Sequence, residues 1–267
     1  MNSPGSLLDQ IRVLENQSDS ERFNQIIHWL QQWDIAPEVH EYATGRNIII
    51  PSGKERRIGL GAHFDTVPGS PGANDNGSAI VVALEITRRL QQQPLGNPGV
   101  DVFIFDEEET GLLGSKAYLR QYGLNGMEAF LNLEMVGMGK HFALWPLNQR
   151  YRGHLLQTFE QTATNRGIIN QRFDRILNTA DHASFMAHGL NDCFSLTVIS
   201  DGDIEAAQHY YKAMEFAVDD QTLYEILLKA PLFEHYHQSS DRSAHLSEQT
   251  LQMTVDTIWE TFVNFQV

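Results

Sequence analysis

Apolar positions along this chain recur with two periods. Phe23, Ile26, Ile27 and Leu30 keep helical spacing, and so do Leu251, Val255, Ile258, Trp259 and Phe262 near the other end. Each set predicts an amphipathic helix with one face turned to a core. The first belongs to a pair of helices over residues 5–34, with Ser18 or Ser20 placed to cap the second. The other set belongs to a closing helix over 246–265. Short apolar runs at 58–64, 100–105, 129–136 and 194–199 predict buried strands, and 39–42, 47–51 and 142–145 read as further strands. Helical spacing fills 79–90, 115–122, 155–165 and 183–188, and 205–232 reads as helical and rich in aromatics. Strands alternating with helices imply a three-layer α/β/α sandwich around a mainly parallel, mixed central sheet. Ligands in such folds bind beyond the carboxyl ends of the strands.

Polar residues break the pattern at those ends. The stretch GAHFDTVPGSPGANDN follows the apolar run Ile58, Leu60, Ala62 and places His63, Asp65, Asp75 and Asn76 in two short turns. Asp106, Glu107, Glu108 and Glu109 follow the run Val102–Phe105, and Glu134 ends the next strand. Adjacent carboxylates beside a buried strand repel one another and lose solvation, and a bound cation relieves both penalties. An exposed acidic turn is the simpler reading of 106–109 alone. It leaves His63 and Glu134 at the neighbouring strand ends unexplained. Zinc takes nitrogen and carboxylate oxygen where no thiolate is offered. The candidate ligands are His63, Asp75, Glu109, Glu134 and His237, with Asp65 placed to orient His63.

Composition narrows the partners. The 267 residues suit one large α/β domain, and the formal net charge of −15 argues against nucleic acid or an anionic membrane as partner. No apolar run reaches the ~18 residues of a membrane span. The first residues lack the basic and apolar regions of a secretory signal, and Cys193 is the only cysteine. A cytoplasmic protein is the expectation. Composition leaves the oligomeric state open.

The motifs GAHFDT, GANDNGSA, DEEETGLLGS, LNLEMVG, TADHASF and YHQSSD occur in the order found in the di-zinc aminopeptidase family, to which glutaminyl cyclases are related. The chain resembles that family over residues 40–265. The resemblance implies a zinc-exopeptidase-like catalytic domain spanning residues 1–267, with N-terminal helices over 1–34 and a lid insertion at 200–233. It implies that His63 and Glu134 hold one zinc, Glu109 and His237 the other, and that Asp75 bridges them across a cis Asp75–Asn76 bond. Glu108 resembles the general base that takes a proton from a metal-activated water. Asp181 matches an acidic position near that base. His182 reads as a structural or pocket-lining hydrogen bonder, and Glu107 as a solvated neighbour or an acid supporting the ligands from behind. His237 is preferred to His235 because it keeps the spacing to Ser240 and Asp241.

Two departures stand out. Glu134 replaces the family's usual Asp with a side chain one methylene longer. The segment RILNTA before Asp181 lacks the tyrosine that such enzymes often use beside the oxyanion, so any such tyrosine comes from elsewhere, such as Tyr210 or Tyr236. The leading expectation is a zinc-dependent aminopeptidase acting on peptide or aminoacyl substrates with two ions. A one-zinc glutaminyl-cyclase-like transferase and a metal-free binding protein on the same fold are the alternatives. Related exopeptidases with an inserted dimerisation domain need more chain than 267 residues leave.

Overall fold

The structure, a computed structural model, describes residues 5–146, 153–173 and 180–265. Two helices come first, α1 (Leu7–Leu14) and α2 (Asp19–Gln32). Ser18 caps α2 in a reciprocal box with Glu21. Strands β1 (Glu38–Glu41), β2 (Arg46–Ile50) and β3 (Arg57–His63) follow, then a wide helical turn, Ala73–Ser78, running into α3 (Ala79–Gln92). Beyond it lie β4 (Gly99–Phe105), α4 (Leu113–Tyr122), β5 (Met127–Leu133), β6 (His141–Pro146) and α5 (His154–Asn165). The rest comprises β7 (Asn170–Arg172), α6 (His182–Ala187), β8 (Cys193–Ile199), α7 (Asp201–Glu215), α8 (Asp220–Leu227) and α9 (Glu248–Phe265).

The strands form one mixed sheet in the order β1-β2-β4-β3-β5-β8-β6-β7. Its centre, β4-β3-β5-β8, is parallel, while β1, β2 and β6 run antiparallel to a neighbour. Alternate residues along β4 face opposite layers. Val102 and Ile104 join a core with α1, α3, α5 and α9, whereas Phe103 and Phe105 join one with α4 and α6. Phe130 of β5 lies across β3, where a Cβ on Gly59 or Gly61 would come within 2.5 and 2.4 Å of its ring. Its other side stacks on Phe185, ring centres 3.8 Å apart. Helices therefore cover both faces of the sheet.

Two details differ from the sequence reading. The 205–232 region is two helices, because Ala217 takes a left-handed φ of 51° and Asp219 caps a new helix. Strand β7 was not expected, since its three polar residues carry no period. Among the described residues no helix is long and apolar enough to cross a membrane.

Candidate metal centre

Register fixes the site. His63 lies opposite Phe105 across the β3–β4 pair, and Gly61 lies opposite Asn132 across β3–β5. Three parallel strands therefore end side by side. They deliver His63, the 106–112 loop and Glu134 to one edge. The loop after β3 returns through the turn that carries Asp75.

His63 is buried, and its Nδ1 lies 3.1 Å from the backbone carbonyl of Asp65. A carbonyl only accepts, so in the neutral ring Nδ1 carries the proton and Nε2 keeps the lone pair a metal would use. That Nε2 is 3.4 Å from Asp75 Oδ1, 3.4 Å from Glu134 Oε2 and 4.0 Å from Glu108 Oε2. On the other side, His237 Nε2 is 3.3 Å from Asp75 Oδ2 and 3.2 Å from Glu109 Oε2. The two Asp75 oxygens thus face two different histidines. His237 Nε2 is buried yet makes no hydrogen bond of sound geometry to either carboxylate. Tetrahedral zinc with bonds of about 2.0–2.1 Å spaces its ligands about 3.3–3.4 Å apart. The donor set and its spacing fit zinc. His63, Asp75 and Glu109 also offer ligand atoms that all lie within 4.8 Å of one another.

The other expected residues hold this arrangement. Asp65 reaches His63 mainly through its carbonyl. Its carboxylate accepts the Glu108 and Glu109 amides, each at 3.0 Å, and so shapes the acidic loop. Glu134 is steered by two amides: Asn132 Nδ2 donates to Oε1 at 2.8 Å and Asn76 Nδ2 to Oε2 at 3.0 Å. These contacts fix the direction of its longer side chain. The Asp75–Asn76 bond is cis. Asp181 is fully buried, and among the described residues neither of its oxygens makes a hydrogen bond of sound geometry. His182 lies buried behind the site, its Nδ1 2.7 Å from Ser195 Oγ. His235 sits 3.0 Å from Ser240 Oγ and stacks on His245, apart from the carboxylates that His237 meets. Glu107 accepts from Thr44 Oγ1 at the rim. Tyr236 stacks on His237 and lines the same cleft as Glu108, whereas Tyr210 packs on Tyr211 in α7. Residues 175–179 of RILNTA lie outside the described residues.

Charges in the metal-free cradle compete. Burial pushes Glu108 up to about 10, with Glu134 and Asp181 adding repulsion against the pull of His63. Burial and Asp75 push Glu109 up to about 7. Burial would depress His63, but the Glu134 and Glu108 carboxylates outweigh it and raise His63 well above its usual value. Asp75 is held below the usual range despite its burial, by His237 and His63. A cation would replace these protons as the compensating charge.

Sequence reasoning missed Asp241, Asn132 and the side-chain role of Asn76. Asp241 accepts the Asn74 amide at 2.8 Å and the Asp75 amide at 3.1 Å. It was visible in YHQSSD as a spacing mark. Asn132 sits inside a strand pattern and gave no signal.

Comparison with known proteins bears on the family and the fold. The chain is 32% identical over 165 residues to Aminopeptidase YwaD of Bacillus subtilis, covering 59% of this chain and 35% of that protein. A solved zinc aminopeptidase from Bacillus subtilis superposes with a TM-score of 0.63 at 26% identity, over 81% of this chain and 49% of the other. The chain therefore spans half or less of the length of these two proteins. A Porphyromonas gingivalis glutaminyl cyclase superposes over 98% of both chains with a TM-score of 0.73 at 22% identity, a likeness of fold. Residues 47–262, from β2 to the last turns of α9, match the profile of Peptidase family M28. That span holds His63, Asp75, Glu108, Glu109, Glu134 and His237, and the chain belongs to this family.

Proposed function

We propose that this chain is a metallo-aminopeptidase that holds two zinc ions and removes the N-terminal residue of a peptide. The observation that carries this reading is the division of Asp75, one oxygen 3.4 Å from His63 and the other 3.3 Å from His237. His63 and Glu134 would hold one ion, His237 and Glu109 the other, with Asp75 between them. Bound zinc would supply Lewis acidity, polarising the scissile carbonyl and acidifying water near neutral pH.

Glu108 lines the cleft and binds neither ion in this scheme, so its carboxylate takes the proton of the attacking water and returns it to the leaving amine. Its raised pKa belongs to the metal-free cradle, and two cations beside it act in the opposite direction. Tyr236 supplies a phenol that burial, then Asp75, keeps protonated, so it donates to the developing oxyanion. Asp65 holds the amides of Glu108 and Glu109 and so fixes the base against its neighbour. The cleft, about 720 Å³, has an apolar wall of Leu112, Met135, Ala180, Ala183 and Ala187. That wall suits an apolar N-terminal side chain, while the carboxylates suit the free α-ammonium.

In this reading the chain is one catalytic unit, residues 200–233 act as a lid, and the location is cytoplasmic, the last resting on composition alone. Cyclisation of N-terminal Gln on a single zinc is the second reading. It is favoured by Glu134, whose two oxygens already accept amide hydrogens. The deciding experiment is zinc per chain on protein purified without chelator, with hydrolysis of aminoacyl anilides and cyclisation of Gln peptides assayed on the same sample. Two zincs with hydrolysis support the peptidase. One zinc with cyclisation supports the transferase, and a protein without metal or turnover would overturn both.

A further inference from the structure

Arg22 of α2 is fully buried. Its guanidinium donates to four backbone carbonyls: Leu14 at 3.2 Å, Phe64 at 3.2 Å, Pro71 at 3.3 Å, and Gly72. Among the described residues no carboxylate oxygen lies within ion-pair distance of it. A buried guanidinium without a paired carboxylate is costly, and a simple core position would favour an apolar side chain instead. The strongest charges acting on it are acidic, from Asp19, Asp241, Asp75 and Asp65.

The segment it grips leads directly to Asp75. Gly72 takes a left-handed φ of 66°, and a Cβ there would lie 2.5 Å from Arg22 Nη2. The guanidinium packs where a side chain would otherwise stand. From the opposite side Asp241 accepts the Ala73 amide on its backbone carbonyl at 3.3 Å and the next two amides on its carboxylate. Residues 71–75 are thus held by a cation on their carbonyls and an anion on their amides. Asp19, also on α2, adds a second tie by accepting the Thr66 amide at 3.1 Å. The family match begins at residue 47, so α2 lies outside it.

We propose that Arg22 is a positioning residue for the metal centre: from a helix outside the family match, it fixes the loop that presents Asp75 to both ions. The inference rests on the metal-centre reading above. Its test is zinc affinity, measured by competition with a chromophoric chelator, alongside melting temperature. The proteins compared are wild type, Arg22→Met, Arg22→Lys and Ile26→Ala, the last a fully buried residue on the same helix. Arg22→Met should bind zinc about tenfold or more weakly, in the range found when groups that orient ligands are removed. Arg22→Lys should lie between, and Ile26→Ala should lose stability yet keep wild-type affinity. Unchanged affinity in a folded Arg22→Met, or an equal loss in Ile26→Ala, would overturn the proposal. If neither Arg22 variant folds, hydrogen exchange on the wild type decides. Zinc should slow exchange in α2 around residues 19–26 as well as at 73–75, and an α2 indifferent to zinc would overturn it. A wild type that binds no zinc would instead sink the metal-centre reading itself.

Discussion

The metal cradle and the α7–α8 segment are built on opposite terms. In the cradle, His63, Asp65, Asp75, Asn76 and Glu134 are buried, and each has a polar partner drawn from another element or loop. Helix α8 buries none of its side chains, and α7 buries only Asp203 and Ala206. Phe216, Tyr224 and Leu228 are more than half exposed there. Ligand geometry has to hold to about half an ångström, which demands saturated contacts. A segment with the proposed role of a lid would need none of that precision. The difference teaches where substitution should matter, and by which mechanism.

Replacing the proposed base should give the largest effect. Glu108→Gln should lower kcat by about 10²–10⁴-fold while zinc content stays at the wild-type level. Steady-state kinetics beside metal analysis checks it, and lost zinc would mean that Glu108 is a ligand. Asp65→Ala frees the amides of Glu108 and Glu109 and should weaken zinc by about 10–100-fold. Asp65→Asn, which keeps one acceptor, should fall between in the same chelator competition.

A third test uses the electrostatics of the metal-free cradle. Burial pushes Asp181 from the usual carboxylate range up to about 7. The folded state then keeps a proton that the unfolded chain has already released. Asp181 therefore favours folding at acid pH and loses that contribution as pH rises from about 4 through about 7. Asp181→Asn should match the wild type at pH 4 and exceed it at pH 8 in denaturant melts of the metal-free protein. A variant less stable at pH 8 would mean that the carboxylate has a partner worth more than its burial penalty. The smallest effect belongs to the other region. Phe216→Ser, at a site 71% exposed, should change stability by no more than about 0.5 kcal/mol. A larger loss of stability would show that α7–α8 is as constrained as the cradle.

The sequence by itself determined the alternation of strands and helices, because an amphipathic period or a buried run is written in neighbouring residues. It also placed chemistry at strand ends, since histidine and clustered carboxylates directly after apolar runs have few purely structural uses. Arg22 was not singled out from the sequence, although it shares a helical face with Ile26 and Leu30. What tertiary structure alone decided is which groups meet. Asp241 lies 167 residues from the Asn74 amide it accepts, and Asp65 lies 43 residues from Glu108. Asn132 and Asn76 aim Glu134. Such pairings carry no local period. They exist only once parallel strands align their ends and exclude water, because buried polar groups must then find partners within the protein.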